Sequence, residues 1–236
     1  MAVAAVDKNG YKDIVAGGNG PVVKLMKTNS IATGSTITYV PNSDFFLQNA
    51  NFGDFNNDGW IDLFCCDDNS ASHLYLNSGT GNLVESNLIN FDVTSSDDSG
   101  NYGSVWSDFD NDNDLDLYIA KCRQGVNDPA DPRRINVLFV NNGDGSYTKR
   151  ASEFGLNIGW QSWTASFGDI DNDNDFDLLV TNHDFNSQIL ENDGTGHFTD
   201  ITNATGFDIS DITPIQSLAV ITKQQQNTDY QLNDSS

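Results

Sequence analysis

Asp169-Ile170-Asp171-Asn172-Asp173-Asn174-Asp175-Phe176-Asp177 places an oxygen-bearing side chain at every odd position of nine residues. Asp54-Phe55-Asn56-Asn57-Asp58-Gly59-Trp60-Ile61-Asp62 and Asp108-Phe109-Asp110-Asn111-Asp112-Asn113-Asp114-Leu115-Asp116 repeat the spacing, with Trp60 at the seventh position of the first copy. Carboxylates this close repel one another unless a hard cation lies among them, and Ca²⁺ takes roughly six to eight oxygen ligands at about 2.3–2.6 Å. The pattern predicts about three structural Ca²⁺ ions. Side-chain oxygens at positions one, three, five and nine and a backbone carbonyl at position seven nominate Asp54, Asn56, Asp58, Trp60 and Asp62 in the first loop. The same positions give Asp108, Asp110, Asp112, Asp114 and Asp116, then Asp169, Asp171, Asp173, Asp175 and Asp177. On this assignment the carboxylates of Asp114 and Asp175 point to solvent. Mg²⁺ suits the loops less well, because it prefers few carboxylates and retained waters.

An EF-hand begins with a similar acidic alternation but needs a bidentate Glu at position twelve and a helix on either side. Position twelve here is Cys65, Ile119 and Val180, and the flanks Ile61-Asp-Leu-Phe64, Leu115-Asp-Leu-Tyr-Ile119 and Phe176-Asp-Leu-Leu-Val180 read as buried strands. After each flank comes Asn-x-Gly-x-Gly, at Asn77–Gly81, Asn141–Gly145 and Asn192–Gly196, the signature of a tight hairpin. The distance from loop position six to that Asn is 18 residues in the first and third copies and 28 in the middle one, an insertion of ten. Each unit therefore reads as four short strands with a loop between the first two. Such a unit cannot bury both of its faces alone, so neighbours must stack, and radial stacking makes a β-propeller.

Weaker copies frame the strong ones. Ala5-Val-Asp7-Lys-Asn9-Gly10-Tyr-Lys-Asp13 keeps three oxygen side chains, which makes Asp7, Asn9 and Asp13 a weak metal site. Ile221-Thr-Lys223-Gln-Gln225-Gln-Asn227-Thr-Asp229 keeps only its ninth-position acid. The expected fold is all-β: a propeller of four-stranded blades at about 1–46, 47–101, 102–160 and 161–213, with a degenerate partial fifth repeat and polar tail at 214–236. An aromatic two residues ahead of each full loop, Phe52, Trp106 or Phe167, is expected in the core.

With 34 acidic against 11 basic residues the formal net charge is −23, which argues against nucleic acid or an anionic membrane surface as partner. Close to half of those acids sit in the loops quoted above. No apolar run is long enough to span a bilayer, so no membrane insertion is expected. The first residues lack a signal-peptide pattern and read as a sequence that opens partway through a repeat. Cys65, Cys66 and Cys122 form no dense framework, although Cys65 or Cys66 meets Cys122 if their strands are neighbours.

The Phe-Gly-Asp motifs at Phe52–Asp54 and Phe167–Asp169, the acidic loop and the Asn-x-Gly-x-Gly hairpin together resemble the FG-GAP/VCBS repeat family, over about residues 1–207. Asn113 and Asn174 depart from it, standing where the family's loop has glycine. The resemblance implies blades of a β-propeller, as in integrin α-subunit heads, with structural Ca²⁺ in the loops. It also implies an extracellular or cell-surface setting, adhesion to or recognition of a protein or glycan, and assembly with further blades or other chains.

Candidates for such recognition lie outside the loops. The inserted segment 121–134 carries Arg123, Arg133 and Arg134, whose alternative role is to pair with local aspartates. Among the aromatics ahead of the loops, Trp160 falls outside the core register and is the candidate platform. His73, His183 and His197 share no spacing, and no nucleophile elbow, phosphate loop or zinc pattern appears, so no catalysis is expected. Two other classes compete: a polysaccharide-active enzyme, since some lyases resemble this fold, and a structural subunit of an extracellular fibre or sheath.

Overall fold

The computed structural model describes residues 1–17, 22–91 and 99–206. The degenerate fifth repeat and the weak loop at 221–229 lie outside the described residues. Among the described residues the chain is all-β, with four antiparallel sheets of four strands, each in simple sequential order. The first holds β1 (Ala2–Ala4), β2 (Asp13–Ala16), β3 (Lys24–Thr28) and β4 (Ser35–Tyr39); the second β5 (Leu47–Gly53), β6 (Asp62–Asp67), β7 (His73–Asn77) and β8 (Leu83–Ser86). The third holds β9 (Asn101–Ser107), β10 (Asp116–Lys121), β11 (Val137–Asn141) and β12 (Tyr147–Lys149); the fourth β13 (Ser162–Gly168), β14 (Asp177–Asn182), β15 (Gln188–Asn192) and β16 (Phe198–Asp200).

The second strands explain the stacking. Every residue of β6 and β10 is buried, which a half-exposed sheet cannot achieve. Because side chains alternate across a strand, each strand serves two cores. Leu63 and Cys65 pack with Val6, Val15 and Leu25 of the first sheet. Phe64 and Cys66 turn the other way, onto Leu117, Ile119 and Phe139 of the third. Tyr118 and Ala120 of β10 in turn join Leu178, Val180 and Leu190 of the fourth. One core therefore lies between each pair of consecutive sheets.

First strands lie against first strands: β1 packs on β5, β5 on β9, and β9 on β13. No substantial contact joins β1 to β13 among the described residues, so the row of sheets is open. Outermost β4 is exposed throughout, and only the β-branched and aromatic residues of Ser35–Tyr39 mark it as a strand. All three cysteines are buried and free. The conditional pairing of Cys65 or Cys66 with Cys122 is not realised, because β6 and β10 belong to different sheets.

This topology separates two ends. The acidic loops join first to second strands and the hairpin turns join third to fourth, so both lie at one end. The connections from second to third strands lie at the other end. There the inserted residues between β10 and β11 fold back on a short 3-10 turn, Pro132–Arg134, capped by Asp131, which accepts from the Arg133 N–H at 3.0 Å.

Candidate metal centres

The ninth-position aspartate is buried in every loop. Asp13, Asp62, Asp116 and Asp177 are all within 2 % of complete burial. In each, one carboxylate oxygen accepts from the N–H of loop position two: Val6 at 2.9 Å, Phe55 at 3.0 Å, Phe109 at 3.4 Å and Ile170 at 2.9 Å. The other accepts from the end of the third strand: Thr28 at 2.9 Å, Asn77 at 2.7 Å, Asn141 at 2.8 Å and Asn192 at 2.9 Å. One carboxylate thus ties the loop to the hairpin in every sheet. A carboxylate offers about four acceptor sites, so the brace leaves lone pairs for a cation.

Positions one and five shape the rest of the loop. The Asp54 oxygens accept from the N–H groups of Asp58 at 3.0 Å and Gly59 at 2.7 Å, and those of Asp108 from Asp112 at 2.9 Å and Asn113 at 3.0 Å. Asp58, Asp112 and Asp173 each accept from the N–H of position seven, at 2.8, 2.9 and 3.0 Å. Position six must turn left-handed, with φ of 82° at Gly59, 74° at Asn113 and 77° at Asn174. Asn is the side chain that best tolerates this region after Gly, which accounts for the two departures from glycine.

The turn gathers carboxylates. Ligand oxygens of Asp108, Asp110 and Asp112 lie within 4.8 Å of one another, and so do those of Asp169, Asp171 and Asp177. These clusters can hold a metal ion. Oδ1 of Asp110 is buried without a hydrogen-bond partner, the state expected of an oxygen that awaits a cation. Burial, with the charges of Asp112 and Asp108 adding to it, raises the Asp110 carboxyl above its ordinary range. Burial pushes Asp116 up to about 8 and Asp62 to about 6, against the opposing backbone N–H bonds. A cation would relieve both strains at once.

Consecutive loops also grip one another. Residue four of each loop is left-handed: Lys8, Asn57, Asn111 and Asn172 have φ of 56°, 56°, 60° and 64°. The first three reach residue seven of the next loop. The Lys8 ammonium lies 3.9 Å over the Trp60 ring, Asn57 Nδ2 donates to Asp114, and Asn111 Nδ2 donates to Asp175 at 3.0 Å. The position-seven carboxylates are therefore half-buried acceptors in loop-to-loop bonds, not groups free in solvent.

The turn asparagine forms a second clasp. Asn77 Nδ2 donates to the carbonyl of Val6 in the preceding loop at 2.8 Å and to Ile61 in its own at 3.0 Å, while its Oδ1 accepts from the N–H groups of Gly79 and Gly81. Asn192 repeats this on Phe109 at 3.1 Å and Phe176 at 3.2 Å. In the middle sheet the Tyr147 hydroxyl takes over, 3.0 Å from the carbonyls of both Phe55 and Leu115 and accepting from Asn141 Nδ2 at 3.1 Å.

Elsewhere, Asp7 accepts from Asn9 within the weak first loop, whose lost first acid leaves Asp13 as brace. Arg133 pairs with Asp131 at 2.6 Å. Arg134 is buried, donating to Asp184 at 2.6 Å and to the Gly159 carbonyl at 2.7 Å. Arg123 donates to the Asp68 carbonyl at 2.7 Å. Trp160 stacks face to face on half-exposed Phe185, with centroids 3.9 Å apart. Trp106 stacks on Phe55 of the preceding loop at 3.8 Å, and Phe167 is buried. The sequence reading missed the loop-to-loop contacts; a left-handed, amide-bearing position four was the available signal.

A family model described as FG-GAP-like repeat matches residues 54–119 and 124–180, slightly more than half of the 236 residues. No curated protein matches the chain.

Proposed function

Since this chain belongs to the FG-GAP-like repeat family, we propose that it is a calcium-stabilised β-propeller module that recognises a protein or glycan outside the cell or at its surface and performs no catalysis. Repeats of the family occur in adhesion and recognition propellers and are typical of extracellular proteins. No helix among the described residues is long and apolar enough to cross a membrane. The observation that carries the metal assignment is the Asp108, Asp110 and Asp112 cluster with its unpartnered buried oxygen. Acid-only oxygen donors at this density suit Ca²⁺. Asp54, Asn56, Asp58 and Asp62 would hold it in the first full loop, and the matching acids in the other two. The ion would supply stiffness: it neutralises acids that the brace already positions, so the opposite end can present binding groups on a rigid support.

Calcium content after extensive dialysis against micromolar Ca²⁺ tests this. About three ions per chain are expected in the wild type and about one fewer after Asp108→Ala. A metal-free wild type contradicts the reading. Release of unsaturated products from a polysaccharide would instead support the competing enzyme.

A further inference from the structure

At the end remote from the acidic loops, a cleft of about 560 Å³ opens between the second-to-third strand connections of the last three sheets. That volume falls inside the range of about 300–1,000 Å³ usual for small-ligand sites. Its lining includes an aromatic run. The Trp163 ring stacks on His183 with centroids 5.4 Å apart and lies tilted against Tyr102 at 6.2 Å. Exposed Gln124 and Asn127 face it from the inserted segment.

The framework beneath is fixed. Gln161 donates from its side-chain amide to the carbonyls of Arg123 and Val126, both at 2.9 Å, accepts from the Arg123 N–H at 2.7 Å, and through its own N–H donates to Asp184 at 2.8 Å. Charge is matched within the site: Arg123 lies 3.5 Å from Asp68, and Arg134 2.6 Å from Asp184. Two acids against two arginines leave no excess charge for an ion to neutralise, although Oδ1 of Asp68 has no hydrogen-bond partner, and the chain's net charge of −23 repels anions. A protein anchor wants a desolvated apolar pocket, whereas these walls set amides, carboxylates and a guanidinium beside their aromatic rings. Flat aromatic faces beside paired amide donors and acceptors instead suit a ring with an apolar face and a rim of hydroxyls.

We propose that this cleft binds a neutral saccharide, with Trp163 as stacking platform and Gln124 and Asn127 as hydroxyl partners. The ten inserted residues of the third sheet are then the device that builds the site. This rests on the recognition reading and narrows its ligand.

The test is an array of neutral, acidic and amino oligosaccharides probed with the Ca²⁺-loaded chain, each hit measured by calorimetry and tryptophan fluorescence. At least one neutral oligosaccharide is expected to bind. Affinity should fall tenfold or more in Trp163→Ala and in the surface variant Gln124→Ala/Asn127→Ala, and hold in Tyr39→Ala, on the outer strand of the first sheet. Circular dichroism shows which variants fold; the surface pair decides the matter if Trp163→Ala does not. Binding only to charged sugars, no binding, or binding unaffected by these variants overturns the inference. A protein partner captured equally by wild type and Trp163→Ala would overturn the saccharide and leave recognition standing; no partner of either kind would sink both.

Discussion

Asp13 shows the bracing role of the ninth-position aspartate apart from the metal role proposed for its counterparts. Its loop has lost the first-position acid, yet Asp13 is fully buried and accepts from Val6 and Thr28, as Asp62, Asp116 and Asp177 do from their own partners. Asparagine there can accept only one of the two N–H bonds and turns an N–H toward the other. Asp13→Asn should cost about 1–3 kcal/mol by urea denaturation, equally in Ca²⁺ and in EDTA; a loss seen only in Ca²⁺ would make the residue a ligand instead of a brace. The sequence announced a ligand at position nine through its spacing. The brace was legible only in hindsight, in the survival of Asp13 where the first-position acid had gone. Trp106 was placed in the core through its register with Phe52 and Phe167, whereas its stacking on Phe55 depends on how sheets pack and leaves no local mark.

Between elements, the three loop-to-loop contacts from residue four to residue seven use two chemistries at one geometry: a cation on a ring once, and an amide to a carboxylate twice, at Asp114 and Asp175. A shared geometry with changing chemistry implies that position, more than any one bond, is fixed by the stacking. A double-mutant cycle of Asn111→Ala and Asp175→Ala should return a coupling of about 0.5–1 kcal/mol, modest because the pair meets solvent. Strict additivity would make the contact incidental. The four strands of each unit were readable from the apolar runs and the Asn-x-Gly-x-Gly turns, because both are local signals. The fold of the inserted segment was not, since Arg134 finds Gly159, Val126 and Asp184 across the chain. Cys65 and Cys66 face opposite cores, as neighbours on a strand must, but which core each one meets depends on how the sheets stack.

At the scale of the molecule, the open row of sheets has unlike ends. Loop position two is buried in the first three sheets, as Val6, Phe55 and Phe109, each covered by the sheet that follows. In the fourth it is Ile170, 53 % exposed. We propose that another blade, from this chain or a second one, covers Ile170. Ile170→Asp should then lower the melting temperature, through loss of about 1.5–3 kcal/mol of burial, or convert an associated species to monomer in sedimentation. A variant unchanged in both would contradict the cover. If Ca²⁺ holds the acidic loops together, thermal unfolding in millimolar Ca²⁺ and in EDTA must differ. Three sites at a hundredfold excess over Kd contribute about 2.7 kcal/mol each, a rise on the order of 15 °C or more for a domain of this size. Identical melting temperatures in the two buffers would mean that the loops hold no stabilising ion.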